Sequence, residues 1–216
     1  MTAIADTGIA SLAALAAVTS CLASSIWGMR RFFTLPGGSN SGIDLVKLAG
    51  TGFGLVSVAA VAMLGAASMT ASLIAVLLAL ISLTLFWWAI ASNRRKPLSF
   101  AFSDDLPEHL VCSGPYRYIR HPFYTAYLLS GLVTPVATGE AVLTIPMLVM
   151  AVIYSAAARL EERKFAASGL ADAYARYRSA TGLFWPRLPG YRPSAEADSG
   201  LRETGSAEKE KPPCGG

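Results

Sequence analysis

The sequence predicts an all-α integral membrane helical bundle of about five transmembrane helices, closed at one end by a C-terminal cytosolic amphipathic helical cap. Of its 216 residues 53% are hydrophobic and only 15% are charged, with a mean hydropathy of +0.46, too apolar and charge-poor for an ordinary soluble domain. The apolar residues also fall into largely uncharged runs, most of them near the roughly 20 residues that a bilayer requires. The net charge of +4 is spread between those runs instead of forming one patch, which argues against a nucleic-acid partner. Cys21, Cys112 and Cys214 are widely scattered, with neither metal nor disulfide spacing, and Cys214 stands third from the end where a prenylation box needs the fourth.

The first span is expected over Gly8 to Gly28. It carries Asp6 before it and Arg30 and Arg31 after it, the reverse of a signal peptide, so it reads as a retained anchor with its N-terminus outside. A Gly/Ser/Asn-rich loop from Pro36 to Gly42 leads to a second span over about Leu45 to Ala67, with Lys47 at its start. Within it Gly50 and Gly54 form a small-xxx-small pair suited to close helix packing. A phosphate-cradling loop is disfavoured there, because the glycines sit in an apolar helix with no lysine following. The third span, about Ala71 to Ser92, ends in Phe86-Trp87-Trp88 followed by Asn93-Arg94-Arg95-Lys96-Pro97. Interfacial aromatics and a basic stop mark a cytosolic membrane boundary.

From Pro97 to Val111 the chain is polar. Asp104 and Asp105 read as solvated loop charges, since no matching ligand set surrounds them. Then comes the run Gly114-Pro115-Tyr116-Arg117-Tyr118-Ile119-Arg120-His121-Pro122-Phe123-Tyr124. Proline is favoured at the first helical position, so Pro122 reads as N1 and His121 as N-cap. Arg120 beside a helix N-terminus opposes the local dipole unless an anion sits there. The plainer reading makes Arg117 and Arg120 a cytosolic boundary and the tyrosines an aromatic belt.

The apolar stretch from Phe123 to Leu160 is too long for one helix and is interrupted by Thr138-Gly139-Glu140, so it reads as a hairpin of about Phe123 to Ala137 and Ala141 to Ala158. Its first arm covers only about 22 Å at 1.5 Å per residue, short of the roughly 30 Å of hydrocarbon. Beyond it lie Arg159-Leu160-Glu161-Glu162-Arg163-Lys164-Phe165, then Gly169 as a helix stop. Asp172 to Arg178 follows, with Tyr174 and Tyr177 on one face of the cap. After Trp185-Pro186-Arg187-Leu188-Pro189 the composition turns to Ser, Glu, Lys, Gly and Pro, the signature of a disordered tail. The chain therefore divides into three N-terminal spans (1–92), a region of polar run, helical hairpin and cap (93–188) and a tail (189–216).

Basic residues fall between spans one and two and between three and four. The two-three connection is uncharged and the four-five connection holds only Glu140. This alternation places the N-terminus outside and the C-terminus in the cytosol.

The run from Gly114 to Tyr124 resembles the signature of the isoprenylcysteine carboxyl methyltransferase and phospholipid methyltransferase superfamily: Gly-Pro-Tyr, then Arg-His-Pro, then Tyr two residues on and usually Gly after one more. Here Ala126 stands at that last position. The superfamily also has a Glu-Glu pair after its last span, then a large apolar residue, a glycine, two tyrosines and a proline. Glu161, Glu162, Phe165, Gly169, Tyr174, Tyr177 and Pro186 follow that pattern. Together the two motifs cover about Leu110 to Leu188.

The resemblance implies S-adenosylmethionine as cofactor, bound by Leu110, Val111, Tyr116, His121, Pro122, Tyr124 and Glu161, with no metal. Those residue types suit the ligand: a carboxylate pairs with ribose hydroxyls, tyrosines stack on adenine or face a sulfonium, and Arg120 can hold the methionine carboxylate. Isoprenylcysteine enzymes carry a substrate-contacting arginine one turn before the first glutamate. That position is Ala157 here, with Arg159 nearby, so Arg120 and Arg159 are the candidate catalytic cations.

The expected function is methyl transfer from cytosolic S-adenosylmethionine to a lipophilic or lipidated acceptor in the bilayer, with membrane lipids as surroundings. A carboxylate such as an isoprenylcysteine-like group is the leading acceptor, because a protonated amine must first lose a proton and few bases lie near the signature. A phospholipid N-methyltransferase is the alternative, and a nicotinamide-dependent membrane reductase a third. A small transporter or structural membrane protein is the non-enzymatic reading, disfavoured by the lack of intramembrane charges.

Overall fold

The computed structural model describes residues 2–31, 33–34, 41–93, 98–99 and 110–187. The expected loop from Pro36, the basic stop at 94–96, Asp104 and Asp105, and the tail after 188 lie outside the described residues. Seven α-helices are described: α1 (Thr2–Arg31), α2 (Ser41–Leu64), α3 (Met69–Ser92), α4 (Pro122–Gly131), α5 (Val133–Thr138), α6 (Thr144–Ala166) and α7 (Ala171–Ala180). Extended pairing among the described residues amounts to two-residue strands, β1 (Phe33–Thr34) parallel to β2 (Leu98–Ser99), and an Ile119–Gly182 bridge. The fold is all-helical.

Among the described residues four helices are long and apolar enough to cross a membrane: Thr7–Arg31, Val46–Leu64, Met69–Ser92 and Ala141–Ala166. The expected fourth span, Phe123 to Ala137, is instead the broken pair α4 and α5, of ten and six residues. At 1.5 Å per residue the pair reaches about 24 Å. Pro135 lies one turn into α5 and has no N–H to offer the Gly131 carbonyl, which explains the interruption at Leu132. Gly131 itself packs tightly: a Cβ there would come within 2.8 Å of Met147.

Side-chain size is sorted in reverse of a water-soluble core. Ala10, Ala14, Ala75, Ala79, Ala89, Ala126 and Ala137 are buried, while Leu12, Leu48, Met63, Leu73, Leu77 and Val152 are exposed. Small residues let backbones approach, and large aliphatic ones face lipid, which is as apolar as they are. Hydroxyls join the helices across these contacts. Ser72 Oγ donates to the Ala10 carbonyl at 2.7 Å, and Ser82 Oγ donates to the Ala126 carbonyl at 2.8 Å. Ala126 is thus accommodated against α3 beside Phe86 and Ala89. The small-xxx-small pair in α2 serves two neighbours: Gly54 lies against Leu22 of α1, and Gly50 lies near the Tyr154 hydroxyl of α6.

The connections follow local rules. Gly65, at φ +71°, turns α2 back toward α3, whose N-cap Ser68 accepts from the Ala71 N–H at 3.0 Å. Gly139, at φ +75°, ends α5. Past the expected span end at Ala158, α6 runs on through Arg159, Glu161 and Glu162 to Ala166, because nothing in Arg-Leu-Glu-Glu-Arg-Lys disfavours helix. The Trp27 and Trp87 rings meet at 4.9 Å, so the C-terminal ends of α1 and α3 lie at the same end of the bundle. Cys112 is disulfide-bonded, which its spacing from the other cysteines did not predict, and Cys21 is a free, buried thiol.

Candidate active site

Four segments converge at one end of the bundle: the end of α3, the signature from Leu110 to Tyr124, the second half of α6, and α7 with the strand-like stretch after it. The signature opens with a 3-10 turn, Gly114–Arg117. Gly114 is at φ +59°, and a Cβ there would come within 1.9 Å of Ser92 Oγ and 3.1 Å of Trp88 Nε1. Only glycine lets the turn lie this close to α3.

Downstream, Thr181 to Arg187 runs alongside the signature as a strap. The Arg120 N–H donates to the Gly182 carbonyl at 2.8 Å, the His121 N–H to Leu183 at 3.2 Å, and the Gly182 N–H to Tyr118 at 3.0 Å. Thr125 Oγ1 donates to the Phe184 carbonyl at 2.9 Å. Beneath it α7 buries Tyr174 and Tyr177, as their spacing predicts, and Tyr174 stacks on Phe165 at 4.5 Å.

His121 is the N-cap of α4 with Pro122 following, as expected, but its imidazole does not cap the helix. It turns instead toward the two glutamates of α6. His121 Nδ1 lies 3.2 Å from Glu161 Oε2, and Nε2 lies 3.8 Å from Glu162 Oε1, too far for a hydrogen bond, which leaves Nε2 buried without a partner. Burial pulls the imidazole pKa down, yet hydrogen bonding and the charges of Glu161 and Glu162 outweigh it, so the net shift is upward from 6.5.

Glu161 Oε1 accepts from the Tyr124 hydroxyl at 2.7 Å. Tyr124 in turn stacks between two rings, with His121 at 5.5 Å and Tyr154 at 5.1 Å, and Phe184 stands edge-on to both His121 and Tyr124. Glu162 has a different set of partners. Arg120 Nε donates to its Oε1 at 2.8 Å, Arg178 Nε lies 3.5 Å from its Oε2, and Arg120 Nη1 also donates to the Arg178 and Thr181 carbonyls. The adjacent glutamates are thus divided: Glu162 is committed to arginines, and Glu161 faces the tyrosine-histidine stack with 28% of its side chain exposed.

Of the residues singled out in the sequence, Tyr116, Arg120, His121, Pro122, Tyr124 and Glu161 come together here. Leu110 and Val111 are half-buried just before them, and Val111 packs against the cluster that contains Tyr116 and Phe123. Arg159 stands apart, exposed and without a hydrogen bond or ion pair to the described residues, because two helical positions rotate it to the far side of α6 from Glu161. Arg117 is likewise exposed. The sequence reading passed over Tyr154 and Phe184. Tyr154 precedes Glu161 by two helical turns and so shares its face, a signal that was available. Nothing in the sequence marks Phe184.

Residues 98–172 match the family model described as phospholipid methyltransferase. That segment belongs to the phospholipid methyltransferase family, within the superfamily of membrane methyltransferases that also holds the isoprenylcysteine enzymes. The chain is also 42% identical over 84 residues to the cobalt-zinc-cadmium resistance protein CzcN of Cupriavidus metallidurans, a match covering 38% of each chain. No solved structure gives a significant match. The phospholipid methyltransferase segment contains His121, Tyr124, Tyr154 and both glutamates, while α1, α2, α3 and the strap with Phe184 lie outside it.

The cluster fits S-adenosylmethionine on its own chemistry. The cofactor joins a sulfonium, a zwitterionic amino acid and an adenosine. The site offers stacked aromatic faces and a partly exposed carboxylate for cationic and hydroxyl groups, together with Arg178 at its rim.

Proposed function

We propose that this chain is an integral membrane methyltransferase that uses S-adenosylmethionine bound at the His121–Tyr124–Tyr154–Glu161 cluster to methylate a lipophilic acceptor. The observation that supports it best is the division of the glutamate pair. Glu162 is held by Arg120 and Arg178, leaving Glu161 beside stacked tyrosines within a phospholipid methyltransferase segment.

When bound, S-adenosylmethionine supplies an electrophilic methyl carbon on a positively charged sulfur. Tyr124, Tyr154 and Glu161 would hold the cofactor so that this methyl group could pass to a nucleophilic lone pair of the acceptor. The protein's part is alignment and exclusion of water, which can supply about 7–11 kcal/mol of the barrier. Tyr124 and Tyr154 wall the cationic end, Glu161 orients Tyr124 and His121, and the strap carrying Phe184 covers the stack. Orientation of the chain follows the basic loops, with the N-terminus outside and this site in the cytosol.

For the acceptor we favour a lipophilic carboxylate, such as an isoprenylcysteine-like group. It is already anionic and needs no base. Arg117 and Arg159, both exposed and without described partners, can draw it to the mouth. Phospholipid N-methylation is the second reading, favoured by the description of the family model. Incubating membranes and purified protein with tritium-labelled cofactor separates the two. A volatile methyl released by mild base is the expected result, and label in a base-stable phospholipid headgroup fraction replaces the carboxylate by an amine. Absence of both transfer and cofactor binding overturns the enzyme.

A further inference from the structure

Asn93 lies at the C-terminal end of α3, outside the segment that matches the methyltransferase family, and is only 4% exposed. Its amide orientation is fixed by two bonds from the same nitrogen. Nδ2 donates to the Ala89 carbonyl at 2.7 Å and to the Tyr116 hydroxyl at 2.9 Å. Both amide hydrogens are thereby used, and Oδ1 is left buried with no donor. A buried acceptor without a partner is costly in a native protein and calls for one.

The neighbouring phenol is in a complementary position. Tyr116 Oη accepts from Asn93, and no acceptor for its own hydrogen is present among the described residues. Burial, the largest influence, pushes this phenol well above its ordinary range, so it stays protonated and keeps a hydrogen to donate. The pair is held in place from three sides. Gly114 allows the turn to reach α3, Tyr177 Oη donates to the Tyr116 carbonyl at 2.8 Å, and Tyr116 packs with Phe86, Ala89 and Ile90. Tyr116 also lies close enough to Glu161 to feel its charge.

We infer that Asn93 Oδ1 and the Tyr116 hydroxyl form an adenine-recognition pair in this site, an acceptor beside a donor that matches the N6 amino group and an adjacent ring nitrogen of the cofactor's adenine. An adenine edge presents that donor-acceptor order; a groove-binding asparagine reads it with its own amide oxygen and N–H, whereas here both amide hydrogens are used and the Tyr116 hydroxyl supplies the donor. Hypoxanthine presents a carbonyl in place of the amino group and sets two acceptors against each other. A site built to pair with a polar group rejects the analogue that lacks it far more strongly than an apolar pocket can.

This inference rests on the proposed use of S-adenosylmethionine and is tested with its stable product. The purified full chain in detergent is titrated with S-adenosylhomocysteine and with S-inosylhomocysteine. The parent should bind the adenosine compound more tightly by about tenfold or more. Asn93→Leu should bring the two affinities within about twofold of each other, chiefly by weakening the adenosine compound. Tyr116→Phe keeps the ring and its packing, and should weaken the adenosine compound while leaving Asn93 to discriminate. If neither compound binds the parent, the cofactor assignment itself fails. If the parent binds both equally, or Asn93→Leu keeps the parent's ratio, the adenine role is wrong and the Asn93 acceptor belongs to a buried water. Should Asn93→Leu not fold, Tyr116→Phe decides the question, and unchanged affinity for S-adenosylhomocysteine in that variant overturns the pair.

Discussion

The Tyr124 hydroxyl and the Glu161 carboxylate meet at 2.7 Å across 37 residues of chain, joining the first turn of α4 to the fifth turn of α6. This bond ties the two sequence motifs into one site, and it makes Glu161 answerable for both the tyrosine ring and the His121 imidazole.

Glu161→Gln should fold, since the side chain is 28% exposed, but it should bind S-adenosylhomocysteine more weakly. A hydrogen bond to a charged partner is worth roughly 1.5–3 kcal/mol, or about 10- to 150-fold in affinity. Calorimetric titration reads this directly, and unchanged affinity in a folded Glu161→Gln protein removes the residue from the site.

Glu162 behaves differently. It shares a buried pair with Arg120, the two side chains being 9% and 11% exposed. Removing one partner strands the other charge, at a cost of about 3–5 kcal/mol. Glu162→Ala should therefore lower the thermal midpoint in detergent sharply, and Arg120→Met combined with Glu162→Leu should recover much of the loss. Equal losses in the single and double variants rule out the pair as the cause.

The His121 pKa is raised on folding above 6.5 by the two carboxylates in spite of burial. Its charged form therefore stabilises the fold fully below the unfolded value, and that contribution disappears as pH rises through the folded value. The stability gap between the parent and His121→Gln should be largest near about pH 6 and shrink toward about pH 9. Thermal unfolding of both proteins across that range checks the slope, and a gap that widens with pH contradicts it.

The proposed orientation puts Gly139 on the outer face and α7 in the cytosol. Single cysteines at Gly139 and Ser179, in a cysteine-free background, should label from opposite sides of the membrane. Labelling from the same side would sink this topology and imply that α4 and α5 do not bring the chain across.

Much of the site was legible because its chemistry is carried by contiguous motifs. Pro122 after His121 announces a helix start on local grounds, since proline fixes its own φ and lacks the N–H that position does not need. The spacing of Tyr174 and Tyr177 likewise assigns them one buried face. Such properties depend on neighbours within a turn of chain.

What the sequence by itself determined was the all-helical membrane class, the long apolar helices, and the gathering of Arg-His-Pro with Glu-Glu. Tertiary structure alone decided which glutamate does what. Glu161 and Glu162 are adjacent and chemically identical, and only the 100° rotation between neighbouring positions on α6 turns one toward Arg120 and the other toward Tyr124. It also broke the expected fourth span at Leu132, sent Arg159 to an exposed face, and brought in Phe184 and Asn93 from outside the motifs. Those placements arise from contacts between segments far apart in the chain, where packing of small residues, a glycine without a Cβ and the pairing of buried charges set the geometry, and no local pattern encodes them.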